Sequence, residues 1–203
     1  MPAVPAPEPS PALARFVDRL DRITAIPQAA EAEVLESVVA AMRQLVAQDD
    51  WLDPAFTRPH PEFYQQYLLH ADPAGRFSVV SFVWGPGQKT PIHDHGTWGV
   101  IGMLRGAEVG RHYRLQDGGG CLPDGPEERL APGDTAVVSP TVGDLHVVRN
   151  AFDDRVSVSI HAYGADIGQQ RRHVYDAATG AAKVFVSGYS APAGPTPQSG
   201  SSV

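Results

Sequence analysis

Three histidines are the residues whose types and spacing most directly suggest chemistry. His93 and His95 stand in the segment "PIHDHGTWG", separated by Asp94. Alternate side chains of a strand share a face, so the two imidazoles would point one way and Asp94 the other. His146 follows far downstream, and a third imidazole from a distant strand could complete a metal site. The alternative is a chance or surface His-x-His pair.

A second polar pattern lies in "VSVSIHAYG". Ser159, His161 and Tyr163 alternate along a predicted strand and therefore share one face, whereas Ile160 and Ala162 face the other way. A hydroxyl, an imidazole and a phenol in this order could form a hydrogen-bonded relay, in which Ser159 orients His161 and His161 orients Tyr163. The alternative is a strand that presents polar side chains to solvent.

The elements that must position these residues are mostly short strands. From residue 76 onward, segments rich in Val, Ile and aromatic residues are punctuated by Gly or Pro, which is typical of an all-β sandwich or barrel. Between residues 29 and 49 the apolar positions follow helical spacing, and a shorter helix is predicted over residues 13–23. We therefore predict a mainly β barrel over about residues 75–189, with an N-terminal helical cover within residues 11–48.

The chain of 203 residues has room for one domain, which we place at residues 11–189. Residues 1–10 are rich in Pro and Ala, and residues 190–203 are rich in Pro, Gly and Ser. Because neither composition can build a core, we predict a flexible N-terminus and a disordered C-terminal tail.

The amino-acid composition limits the classes of partner that the protein is expected to bind. The net charge of −7, with only 16 Lys and Arg, disfavours nucleic acid and anionic membranes, since both need a basic surface. The sequence shows no signal peptide and no apolar run long enough to span a membrane. Its lone cysteine, Cys121, cannot form an internal disulfide. We expect a cytoplasmic protein that binds small molecules and is a monomer or a weak homo-oligomer.

The glycines and the proline around the histidines resemble the two cupin motifs, in which a β-barrel carries its metal ligands on two hairpins. The residues that match the motifs are Gly87, His93, His95 and Gly106 in the first and Gly133, Pro140, Gly143, His146 and Asn150 in the second.

The carboxylate that usually completes a cupin site is missing. Its position falls at Gly99, which has no side chain, while Asp94 faces away and Glu108 comes too late in the chain. The predicted ligand set is therefore His93, His95 and His146. Three neutral imidazoles suit Fe(II) with open coordination positions, and zinc with a bound water is the competing assignment.

A three-histidine cupin followed by Ser-x-His-x-Tyr resembles the thiol dioxygenases of the cysteine dioxygenase family. The segments that carry the resemblance are "FVWGPGQKTPIHDH", "GDLHVVRN" and "SIHAYG". The resemblance implies Fe(II) as cofactor, a small thiol carboxylate and O₂ as reactants, and a sulfinic acid as product. It also implies that His93, His95 and His146 are the metal ligands. The hydrogen-bonded relay beside them would consist of Ser159, His161 and Tyr163.

Gly99 distinguishes this sequence from the animal members of that family. Animal cysteine dioxygenases carry a cysteine at the matching position, cross-linked to the tyrosine that matches Tyr163. The thioether cannot form here, because Gly99 has no sulfur and Cys121 lies in a different loop.

The substrate carboxylate needs a cation, for which arginine supplies a bidentate fork. Animal-type enzymes place an arginine before the first core strand, whereas this chain has Gln66 near that position and Arg171 and Arg172 after Tyr163. This arrangement resembles the bacterial 3-mercaptopropionate dioxygenases. It implies that Arg172, or alternatively Arg171, holds the carboxylate near Gln66, and that 3-mercaptopropionate is preferred over L-cysteine. The alternatives are a cysteine dioxygenase acting mainly on L-cysteine, a zinc-type cupin isomerase or hydrolase, and a metabolite sensor.

Overall fold

The computed structural model describes residues 9–26 and 29–192. Most of the two predicted terminal segments, residues 1–8 and 193–203, lies outside the described residues. Within the described part of the 190–203 segment, Ser190 exchanges hydrogen bonds with Gln66 on the first strand.

Two α-helices precede the strands: α1 (Pro11–Thr24) and α2 (Glu31–Leu45). Helix α1 begins where the sequence favours it, because the Ser10 hydroxyl accepts a hydrogen bond from the Leu13 backbone N–H and Pro11 occupies the first turn. Each helix buries one apolar face, including Phe16 and Leu20 of α1 and Val38 of α2. Neither helix has the length and apolar character needed to cross a membrane.

The described residues after the helices contain a short 3-10 helix and twelve strands. They are the 3-10 helix Pro54–Thr57 and strands β1 (Gln65–Ala71), β2 (Ser78–Trp84), β3 (Ile92–His93), β4 (Gly99–Arg105), β5 (Glu108–Leu115), β6 (Cys121–Pro123), β7 (Glu128–Leu130), β8 (Thr135–Val138), β9 (His146–Asn150), β10 (Ser157–Tyr163), β11 (Arg172–Tyr175) and β12 (Ala182–Phe185).

The strands form two antiparallel sheets. The first has the order β1-β2-β10-β4-β8, and the second has the order β12-β11-β3-β9-β5-β6, with β7 also paired to β5. The predicted mainly β barrel with an N-terminal helical cover is confirmed. It begins earlier than expected, because β1 pairs with β2 from Gln65 onward although its sequence, "QQYLLHA", lacks a simple alternation of polar and apolar residues.

Strand β10 lies between β2 and β4, and all seven of its residues are buried. Its apolar side chains, Val158, Ile160 and Ala162, join the core shared with the two helices. Alternation directs the intervening residues to the opposite face, where the polar side chains of β10 lie between the sheets. The helices thus cover one face of the first sheet and leave its other face to the interior of the barrel.

Two glycines are needed for the geometry of this region: Gly106 in the turn after β4, and Gly102 within β4 where the strand meets helix α2. Gly106 connects β4 to β5 with a φ of 80°, a conformation that side chains disfavour. Gly102 faces α2, and a Cβ atom there would lie 2.5 Å from Met42 Cγ and 2.9 Å from Val46 Cγ1. Helix α2 can approach the sheet this closely only because position 102 has no side chain.

Replacing Gly102 by Ala should push α2 away from the sheet. We expect Gly102→Ala to lower the free energy of unfolding by roughly 1–3 kcal/mol, the usual range for overpacking a core. Urea denaturation followed by circular dichroism would measure this change. Gly110→Ala on β5 is a matched control, since a Cβ there would meet no atom within 4 Å. Equal midpoints for the two variants would contradict the close packing of α2.

Candidate metal centre and its cavity

The three predicted histidines lie together inside the barrel. Strand β3 carries His93, β9 begins at His146 and pairs with it, and His95 follows two residues after the end of β3. All three are buried, and one ring nitrogen of each lies within 4.8 Å of one nitrogen of the other two. This spacing allows the three imidazoles to coordinate a single metal ion.

Hydrogen bonds orient two of the three rings. His93 Nδ1 lies 3.1 Å from the Pro91 carbonyl oxygen, and His95 Nδ1 lies 2.9 Å from Asp144 Oδ1. Because each oxygen accepts a hydrogen, Nδ1 carries the ring proton and Nε2 keeps a lone pair for a metal. The Asp144 carboxylate also accepts hydrogen bonds from the backbone N–H groups of His95 and Gly96, which fixes its own position.

Two of the three rings, His93 and His146, are uncharged. Burial, followed by the neighbouring His95, lowers the pKa of His93 to about 3. Burial and the nearby imidazoles also hold the pKa of His146 well below its usual value. At neutral pH these rings are therefore in the deprotonated state that metal binding requires.

Among the described residues, no carboxylate joins the three histidines. The Asp94 side chain points away from them, with its Oδ2 2.9 Å from His173 Nδ1 and accepting a hydrogen bond from the Tyr175 hydroxyl at 2.7 Å. At Gly99 a Cβ atom would lie 2.8 Å from two ring carbons of Tyr163. The position of the usual glutamate is therefore filled by the Tyr163 ring.

The polar side chains of β10 form a continuous hydrogen-bonded row. Ser159 Oγ lies 2.9 Å from His161 Nε2, and His161 Nδ1 lies 2.8 Å from Tyr163 Oη. All three residues are buried, and the Tyr163 ring centroid lies 5.5 Å from that of His95. The Ser159–His161–Tyr163 row therefore ends beside the histidine cluster.

The row continues to a residue that the sequence interpretation considered only as a metal ligand. Glu108, at the start of β5, is 1% exposed, and its carboxyl group is hydrogen-bonded to Ser159 Oγ. The Trp84 indole N–H donates to the same oxygen at 3.2 Å. A charged residue directly after the Gly106 turn, at a buried strand position, is the signal that could have identified Glu108.

A cavity of about 220 Å³ opens beside the three histidines. Its lining combines the histidine cluster, part of the polar row, several further polar groups and an aromatic and apolar wall. The lining residues are Tyr64, Gln66, Phe82, Trp84, Thr90, Pro91, His93, His95, His146, Val148, His161, Tyr163, Arg172, Val174 and Phe185. Its volume is smaller than the roughly 300–1,000 Å³ of drug-sized pockets and suits a ligand of a few heavy atoms.

Arg172 is the cation of this cavity. It is 4% exposed, its guanidinium stacks over the Phe185 ring at 4.6 Å, and one Nη donates to Ser187 Oγ at 2.7 Å. Its Nε has no hydrogen-bond partner, and no described carboxylate pairs with it. Gln66 Nε2 donates to the same Ser187 hydroxyl. Burial lowers the pKa of Arg172, as expected for a cation that has lost water without gaining an anion.

Other residues singled out in the sequence lie outside this cavity. Arg171 is exposed and does not line it. Cys121 is buried on β6, where its thiol contacts the Asp176 carbonyl oxygen, and burial raises its pKa.

Comparison with protein families gives a match that spans most of the chain. The family described as cysteine dioxygenase type I matches residues 9–176.

Similarity to solved structures is weaker. An uncharacterized protein with a double-stranded β-helix domain from Klebsiella pneumoniae is 17% identical over 58% of this chain and 91% of that chain, with a TM-score of 0.42. A cupin superfamily protein from Desulfitobacterium hafniense is 14% identical over 59% of this chain and 94% of that chain, with a TM-score of 0.43. A DMSP lyase from Ruegeria pomeroyi is 18% identical over 84% of this chain and 79% of that chain, with a TM-score of 0.41.

Removing the Asp144 carboxylate should weaken metal binding by the three histidines. Asp144→Ala deletes two hydrogen bonds to His95 and one to Gly96, so we expect metal affinity to fall roughly 10–100-fold, the range for such outer partners. Metal titration of the purified variants would measure it. Asp94→Ala is the control, because that neighbouring carboxylate points away from the cluster. Equal affinity in both variants would show that Asp144 does not hold His95 for a metal.

Proposed function

The chain belongs to the cysteine dioxygenase type I family, and from this membership we propose that it is a non-haem Fe(II) thiol dioxygenase. The reaction adds both atoms of O₂ to the sulfur of a small thiol carboxylic acid and yields a sulfinic acid. We propose 3-mercaptopropionate as the preferred substrate over L-cysteine. The observation that carries the proposal is that one small cavity joins a buried three-histidine cluster to a buried arginine that forms no described ion pair.

The donor set fits Fe(II). Three neutral imidazole nitrogens, from His93, His95 and His146, leave the dipositive charge of the ion uncancelled and leave coordination positions open. Fe(II) held there would supply the one-electron chemistry that reaction with dioxygen requires. The hydrogen bonds at Nδ1 of His93 and His95 keep those two rings aimed at the ion before it binds.

Arg172 supports a carboxylate on the substrate. Its unpaired Nε and its remaining Nη hydrogens form the fork that binds a carboxylate through two parallel hydrogen bonds. The Ser187 hydroxyl and the Phe185 ring hold the guanidinium, and Gln66 holds Ser187 in turn. A carboxylate anchored there would place the other end of a three-carbon thiol acid near the histidine cluster.

The charges of the cavity favour a thiol acid without an amine. None of the described residues that line it is Asp or Glu, so an ammonium group would find no anion there. L-cysteine would have to desolvate its ammonium group beside buried Arg172 and three neutral imidazoles, whereas 3-mercaptopropionate carries no such group. This difference supports selection of 3-mercaptopropionate.

Tyr163 is the residue of the row that reaches the cavity. Burial raises the pKa of its hydroxyl, so the group keeps its proton at neutral pH and can act as a hydrogen-bond donor. His161 and Ser159 restrain the position of the phenol, and the ring packed against Gly99 cannot rotate away freely. We propose that Tyr163 donates a hydrogen bond to the reacting groups at the end of the cavity.

Oxygen uptake tests the reaction and its substrate together. Fe(II)-loaded protein should consume O₂ rapidly with 3-mercaptopropionate, more slowly with L-cysteine, and least with cysteamine, which lacks the carboxylate. An oxygen electrode, with the sulfinic acid identified by mass spectrometry, would make the measurement. Faster uptake with L-cysteine would overturn the substrate preference. Stoichiometric zinc in the purified protein, without thiol-dependent uptake, would instead favour a zinc-type isomerase, a hydrolase or a sensor.

The two adjacent arginines give a matched pair of variants. Arg172→Ala should raise KM for 3-mercaptopropionate by roughly 10–100-fold, because a charge-assisted bidentate contact contributes about 1.5–3 kcal/mol. Arg171→Ala should leave KM unchanged, since that side chain is exposed and outside the cavity. Steady-state kinetics would compare the two. A KM change confined to Arg171→Ala would show that the wrong arginine had been chosen.

A further inference from the structure

Glu108 has no role in the reaction proposed above, although it lies at the inner end of the row that reaches the cavity. Its carboxyl group contacts Ser159, so three side chains connect it to the cavity, in the order Ser159, His161 and Tyr163. No described cation forms an ion pair with it. A fully buried acid at the end of a closed hydrogen-bonded row can set how the hydrogens of that row are arranged.

The number of hydrogens in the row allows two arrangements. The Trp84 indole can only donate, so one acceptor position of Ser159 Oγ is always occupied. Burial holds the pKa of His161 well below its usual value, so its ring carries one proton, on either Nδ1 or Nε2. The state of the Glu108 carboxyl group decides which nitrogen carries it.

When Glu108 is ionised, it accepts the hydrogen of Ser159. Ser159 then accepts from His161 Nε2, and His161 Nδ1 accepts the hydrogen of the Tyr163 hydroxyl. When Glu108 is protonated, every bond reverses: Glu108 donates to Ser159, Ser159 donates to His161 Nε2, and His161 Nδ1 donates to Tyr163 Oη. Only in this second arrangement is the Tyr163 hydrogen free to point into the cavity.

We propose that the proton on Glu108 sets the direction of the whole row, so that Tyr163 donates into the cavity only while Glu108 is protonated. Glu108 is thus a positioning residue that acts through Ser159 and His161. The effect of Glu108 on turnover rests on the proposed function. The change in hydrogen-bond direction along the row does not depend on that function.

The surroundings of Glu108 make both arrangements accessible near neutrality. Burial raises its pKa to about 7, although the Ser159 hydroxyl and the nearby Trp84 indole N–H favour the ionised form and lower it. A second cavity of about 30 Å³ adjoins it, lined by further strands. The titratable groups that line this second cavity with Glu108 are His112 on β5, Glu128 on β7 and His146 on β9, and on β10 the carboxyl group of Glu108 also acts on the hydroxyl of Tyr163.

The tautomer of His161 is the direct test. ¹⁵N-histidine NMR of the purified protein, both metal-free and zinc-loaded, should show His161 protonated on Nδ1 at about pH 6 and on Nε2 at about pH 8.5. In Glu108→Gln the tautomer should not change with pH, because an amide does not titrate. In Ser159→Ala, which retains Glu108 but breaks the connection, the tautomer should also stop following pH.

Turnover gives the second readout. As the pH rises over the same interval, kcat of the wild type should decrease by a factor roughly ten times larger than the decrease in Glu108→Gln. Only the wild type loses the Tyr163 hydrogen-bond donor as the pH rises. KM for 3-mercaptopropionate should change similarly with pH in both proteins, since Arg172 is untouched. A wild-type tautomer that is constant with pH, or one that changes equally in Glu108→Gln, would overturn the proposal. Because NMR needs no turnover, absence of thiol-dependent O₂ uptake would disprove the proposed function separately.

Discussion

The structure depends on one strand that is buried on both faces. β10 presents Val158, Ile160 and Ala162 to the helices and polar side chains to the interior of the barrel. Polar groups placed in a dry interior must satisfy each other, because no water is available to replace a missing partner. The hydrogen-bonded row along β10 meets this requirement, and its outer end lies beside the three histidines.

The second constraint is electrostatic. Among the described residues, the cavity lining holds the three clustered imidazoles and the guanidinium of Arg172 but no carboxylate, since Glu108 lies at the other end of the row. A dipositive metal bound by the histidines would, together with the buried guanidinium, give the site an excess positive charge, which an anionic ligand would offset. A thiolate that also carries a carboxylate supplies two such charges in one small molecule, which is why the chemistry of the cavity and the proposed substrate agree.

Features with a local cause could be predicted from the sequence. Alternation along a strand brought His93 and His95 to one face and aligned Ser159, His161 and Tyr163, and the apolar period identified both helices. Contacts between distant elements could not be predicted. Glu108 meets Ser159 across the barrel, Asp144 meets His95 through the loop before β9, and strand β1 was missed because pairing with β2, not its own pattern, makes it a strand.

The lone thiol of the chain, Cys121, is kept apart from the cavity. It is buried on β6 against the Asp176 carbonyl oxygen, and burial together with the Asp176 carboxylate raises its pKa, so it remains a thiol rather than a thiolate. A thiol in that state is a poor nucleophile and a poor target for oxidants. If the chain oxidises thiols as proposed, its own cysteine would therefore escape the chemistry that the cavity performs on its substrate.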